Sequence, residues 1–176
     1  TKDGTLDQKF QPGGSNFAVI LGAGISKDGE TVACLSGQKD QRFVVARKSG
    51  EHSKIIFHEY LEKSSVNQEV VKFNRKGNIV YYGYAEGLGV VDLEKLESYK
   101  LALNGHVVQI EENDDENLIF VLSRYGKKYT VTVIEKFNQS VASFSFNANY
   151  SFIQVRGDAL FVGRNDKISK LSVSRR

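Results

Sequence analysis

The stretch Gly24–Gly37, GISKDGETVACLSG, decides the fold. A polar turn, Ser26-Lys-Asp-Gly29, leads into an apolar run, Val32-Ala-Cys-Leu35, and a second glycine closes it. Asp-Gly supplies the positive φ that a tight hairpin needs. The outline returns three times. Asn74-Arg-Lys-Gly77 precedes Asn78-Ile-Val-Tyr-Tyr-Gly83, Glu112–Asn117 precedes Leu118-Ile-Phe-Val-Leu-Ser123, and Gln154-Val-Arg-Gly157 precedes Asp158-Ala-Leu-Phe-Val-Gly163. The period is roughly 40 residues, within the range of blades and solenoid units.

Working outward, each turn sits between a first strand and a second, and a third and fourth follow. The first strands span Phe17–Ile25, Glu69–Phe73, His106–Glu111 and Tyr150–Val155. Third strands read from Gln41–Ala46, Leu88–Asp92, Lys128–Ile134 and Lys167–Val173, and fourth strands from Lys54–His58, Ser98–Leu103 and Gln139–Ser145. Many runs are continuously apolar, such as Ala18–Leu21 and Leu118–Leu122, which requires cover on both faces of the sheet. Four-stranded sheets buried on both sides and repeated are what a β-propeller blade requires.

The expected fold is therefore all-β, with four four-stranded antiparallel sheets as propeller-like blades in a single domain, 1–176. The fourth unit lacks its last strand, and Thr5–Phe10 is expected to fill that place and close the ring. The alternative is part of a larger propeller, or an open array that forms a homodimer. Asp92–Leu103 competes for helix, with a cap residue and apolar residues at helical spacing. The repeat favours strand, turn, strand there.

The turns Ser26–Gly29 and Asn74–Gly77, with Gly89-Val-Val-Asp92-Leu93 at the end of a third strand and the pair Gly105-His106, resemble propeller repeats of the WD40-like and related bacterial kind. The Trp-Asp pair of WD40 repeats is absent, since the chain has no Trp. The resemblance implies a rigid ring used for protein recognition, without chemistry of its own.

Composition narrows the function by class. Hydrophobic residues make up 40% and charged residues 26%, ordinary for a globular chain. No apolar run approaches the roughly 20 residues of a spanning helix, so direct membrane insertion is not expected. The net charge of +3 and basic runs no longer than dipeptides give no nucleic-acid signature. A chain that starts at Thr1 and has no Met is expected to be a trimmed product, and the compartment, cytoplasmic or periplasmic, stays open. Cys34 is the single cysteine, which excludes an internal disulfide and a cysteine-rich metal site.

No residue set points to a reaction, so the chain is expected to be no enzyme and to need no cofactor. His52, His58 and His106 fall in different layers without metal-ligand spacing. Gly22-Ala-Gly24 lacks the third glycine and the helix of a dinucleotide loop. Glu112–Asn117 lacks the calcium-loop spacing. Charge placement says more. Connections between second and third strands carry mostly Lys and Arg, whereas the turns at the other end are mostly acidic. The basic face, with Tyr125, Leu88 and Tyr150 on it, is expected to bind a protein or peptide, because Arg and aromatic residues anchor interfaces. Arg42, Arg124, Tyr125, Lys128 and Arg164 are the candidate contacts. The alternative is a ligand-binding or hydrolytic propeller that uses the mouth of its central channel.

Overall fold

The computed structural model describes residues 20–36, 41–50, 52–61, 70–84, 87–115, 117–135, 140–157 and 159–172. Among the described residues, fifteen strands form four antiparallel sheets in chain order. The first holds β1 (Ile20–Ile25), β2 (Thr31–Ser36), β3 (Gln41–Ser49) and β4 (His52–Leu61). The second holds β5 (Val71–Phe73), β6 (Ile79–Tyr84), β7 (Gly87–Asp92) and β8 (Glu97–Ala102). The third holds β9 (His106–Glu112), β10 (Leu118–Tyr125), β11 (Lys128–Glu135) and β12 (Ser140–Asn147), and the fourth β13 (Ser151–Arg156), β14 (Ala159–Arg164) and β15 (Lys167–Ser172). Each strand pairs with its sequence neighbour, as the repeat predicts. The proposed closing strand Thr5–Phe10 lies outside the described residues.

The repeated turn has a physical basis that three sheets share. Gly29 and Gly77 sit at φ near +78°, each closing a β-turn onto the carbonyl of Ser26 or Asn74. Behind the turn, a buried polar side chain holds the next strand. Thr31 N–H donates to Ser26 Oγ (2.9 Å), Ile79 N–H to Asn74 Oδ1 (3.0 Å) and Leu118 N–H to Asn113 Oδ1 (2.9 Å). The fourth sheet replaces this with the short Arg156-to-Ala159 hairpin.

Asp92 is a cap, though of a turn. Its Oδ1 accepts from the N–H groups of Glu94 and Lys95, the same bonds that open a helix. Leu96 then takes φ of 58°, which ends any helical path and sends the chain into β8.

Among the described residues, three apolar cores lie between consecutive sheets. Leu35, Phe43 and Val45 meet Val80, Tyr82 and Val91; Tyr81, Leu88 and Val90 meet Ile110, Ile119 and Val121; Phe120, Leu122 and Val131 meet Ile153, Leu160 and Val162. Alternate residues of β6 and β10 thus enter different cores, which is why their runs are unbroken. Among the described residues no such core joins the fourth sheet to the first. The continuous burial expected of the first strands does not extend to β1, where Ile20 and Ile25 are exposed. The deeply buried strands are the middle two of the first three sheets, since an innermost strand has a neighbour on one edge only.

Those innermost strands are fastened to one another by side chains. Gln109 of β9 uses its amide as a substitute peptide group, donating to Ile153 O (2.7 Å) and accepting from Ile153 N–H (3.0 Å). Lys72 of β5 donates to Ile110 O (2.7 Å) and pairs with Glu111 (2.9 Å). Asp114 bridges further, with Oδ1 on the Arg75 guanidinium (3.0 Å) and Oδ2 accepting from Gly157 N–H (3.1 Å).

Candidate functional site

The basic loop face is built by hairpins between the second and third strands. In the third sheet, Tyr125 and Lys128 form the closing pair of a two-residue loop, with Arg124 opposite Tyr129. In the fourth, Arg164 and Lys167 close the equivalent loop. The two hairpins touch the connection between them: Ala148 N–H donates to Lys127 O (3.1 Å), and Asn165 N–H to Tyr150 O (3.0 Å). Arg124, Tyr125, Lys128 and Arg164 therefore belong to one continuous surface. Arg42 lies in the first sheet, stacked at 4.9 Å on the Tyr60 ring, and none of its described contacts reaches the other four.

Within this surface the side chains divide. Alternation along β10 turns Arg124 toward the fourth sheet and Tyr125 toward the second. Arg124 lies 5.4 Å over Tyr129 and donates from Nε to Gly126 O (2.7 Å). Tyr129 stacks on Phe146 at 6.0 Å and 10°, and Arg164 of the next sheet covers Phe146 at 5.3 Å while donating to Ser169 Oγ (3.1 Å). Two guanidinium groups are thus held on an aromatic ladder across the seam between the third and fourth sheets. His106 stands opposite Arg124, and burial together with that guanidinium lowers its pKa.

On the other side of β10, Tyr125 is 71% exposed. With Asn104, Gly105, Lys128 and Thr130 it lines a groove of about 330 Å³. Ser123 Oγ donates to Asn104 O (2.9 Å), and the Thr130 and Ser145 hydroxyls share a hydrogen bond (2.8 Å), so the walls are fixed. Gly105 has φ of +89°, and a Cβ there would stand 2.3 Å from Arg124 O. Only glycine lets this connection press against β10.

Tyr150 is 62% exposed at the fourth-sheet side, as expected for the basic face. Leu88 is not: it is fully buried in the core between the second and third sheets, because the apolar face of β7 packs inward. Sequence reasoning missed the ring partners of the arginines. Tyr129 was recoverable, since a two-residue hairpin fixes it opposite Arg124. Phe146 was not, since it meets Arg164 across sheets. Among the described residues, no group of three or more His, Cys, Asp or Glu is placed to hold a metal ion.

Comparison with known proteins places this geometry. The model of a β-propeller protein family matches residues 1–175, and the chain belongs to that family. It is 32% identical over 146 residues to an uncharacterized protein of Treponema pallidum (strain Nichols), covering 83% of this chain and 39% of the relative. The chain thus spans about two-fifths of that relative's length. Among solved structures, the β-propeller domain of the Trilobed protease from Pyrococcus furiosus, described as having an open velcro topology, matches with a TM-score of 0.60 at 15% identity, covering 90% of this chain and 59% of that one. Kuenenia stuttgartiensis hydrazine synthase matches with a TM-score of 0.61 at 11% identity, covering 81% and 43%. Pyrococcus horikoshii acylaminoacyl peptidase matches with a TM-score of 0.58 at 13% identity, covering 88% and 32%. At these identities the likeness is one of fold.

Proposed function

We propose that this propeller domain is a non-catalytic recognition module, binding an acidic protein segment across the loop face of its third and fourth sheets. One observation carries the reading. Arg124 and Arg164 are laid on a shared aromatic ladder, so their forks are ordered before a partner arrives, and exposed Tyr125 and Tyr150 flank them. Pre-ordered arginine and tyrosine reduce the entropy lost on binding. Lys127, Lys128 and Lys167 against Asp166 leave the surface positive, which steers an acidic partner. The test is fluorescence anisotropy with labelled hexaglutamate, against hexalysine and a single-stranded oligonucleotide, at physiological salt. Hexaglutamate should bind, and Arg124→Glu with Arg164→Glu should weaken it tenfold or more. No binding of hexaglutamate, or tighter binding of the oligonucleotide, would refute the reading.

A further inference from the structure

Tyr125 and Lys128 stand on the opposite side of β10 from the arginine ladder, and their groove has its own character. Its volume, about 330 Å³, is at the lower end for clefts that hold small ligands. Its lining residues carry the Lys128 ammonium, the Asn104 amide and the Tyr125 and Thr130 hydroxyls, and the Thr130 hydroxyl is shared in a hydrogen bond with Ser145. Tyr125 supplies an apolar wall. Arg124 is directed away, so Lys128 is the one cation among the lining residues.

We infer that this groove is the specificity pocket of the loop face, taking the side-chain carboxylate of a Glu or Asp residue in the bound segment. The inference rests on the acidic-segment reading above and adds to it a place and a charge. A single ammonium among neutral polar residues matches a monoanion. A phosphate, which carries nearly two negative charges, is ordinarily met by an arginine fork or several cations. The fork that could serve lies across the strand. The pocket therefore selects carboxylate over phosphate, with Lys128 as counter-ion and Tyr125 packing on the methylene groups of the ligand.

Amide and side-chain NMR titrations of the 176-residue chain separate the two levels. Hexaglutamate reports on the whole face. N-acetyl-glutamate N-methylamide, with its glutamine and phosphoserine counterparts, reports on the groove. The glutamate probe should shift Asn104, Gly105 and Thr130 and bind at least fivefold more tightly than the glutamine or phosphoserine probe. Lys128→Gln should abolish that preference, Lys128→Arg should move it toward the phosphoserine probe, and Lys170→Gln on β15, outside the loop face, should leave it intact. If hexaglutamate shifts only residues around Arg124, Lys127 and Arg164, the pocket assignment is wrong and the face survives. If hexaglutamate shifts nothing, both fail. A preference that persists in Lys128→Gln also overturns the pocket.

Discussion

Gln109→Ala removes the group that fastens the third sheet to the innermost edge of the fourth. Among the described residues β13 is paired through its backbone only with β14, and on its other edge the Gln109 amide satisfies both the N–H and the C=O of Ile153 at 3.0 and 2.7 Å. Ile153 is buried, so neither group regains a full water partner when the amide goes. Two lost bonds at a net value of about 1 kcal/mol each, plus part of the cost of unsatisfied buried groups, give roughly 2–3 kcal/mol. For a domain of this size that lowers Tm by about 4–12 °C. Thermal and urea unfolding measure the total. Amide exchange locates it: Ile153 should lose protection, while Val162, on the paired strand, keeps more of it. Gln109→Glu should be worse at neutral pH, because it sets a second carboxylate beside Glu111, which accepts from Gln109 Nε2 at 3.0 Å. It should recover partly on acidification, when one carboxyl can donate. Stability within about 0.5 kcal/mol of the parent, with Ile153 still protected, would refute the clamp.

Three further perturbations test the sheets and their seams. Gly89→Ala would set a Cβ 2.0 Å from the Tyr82 ring, and Tyr82 would have to leave its 4.0 Å stack on Phe43; a loss of about 2–4 kcal/mol in urea unfolding is expected. Asn113→Ala strips the Leu118 N–H of its acceptor and should cost about 1–2 kcal/mol by the same measurement, with Asn113→Ser recovering part of it as Ser26 does in the first sheet. Burial and Arg124 lower the His106 pKa below 6.5, so the unfolded chain takes up the proton first as pH falls. Stability should be full above pH 6.5 and decline as pH drops through the folded-state value, and His106→Gln should flatten that part of the thermal-melt profile.

The repeat was readable because its elements are local. The turns at Ser26 and Asn74 carry their own glycine and their own acceptor within five residues, and the hairpin loops fix the register. The unbroken apolar runs of β6 and β10 pointed correctly to two covered faces. Where elements meet across sheets, the sequence is silent: nothing marks Gln109 as the partner of Ile153, or Phe146 as the ring beneath Arg164. Leu88 shows the same limit. A leucine next to a loop looked like part of the loop face, yet its position on β7 sends it into a core. At Asp92 a real local signal, a carboxylate that caps two following N–H groups, serves two structures, and the left-handed Leu96 decides between them.

The loop face owes its form to the same alternation that builds the cores. A strand buried on both sides must send successive side chains into different seams. When β10 runs out of the core and reaches its hairpin, that rule still holds, so Arg124 and Tyr125 leave the strand on opposite sides. The candidate contacts of the third and fourth sheets therefore divide between two seams. What forms is a ladder in one seam and a groove in the next, with the hairpin as the ridge between them. A bound segment would have to cross that ridge, and the two sides would then read different features of it: the ladder its overall charge, the groove the identity of one residue.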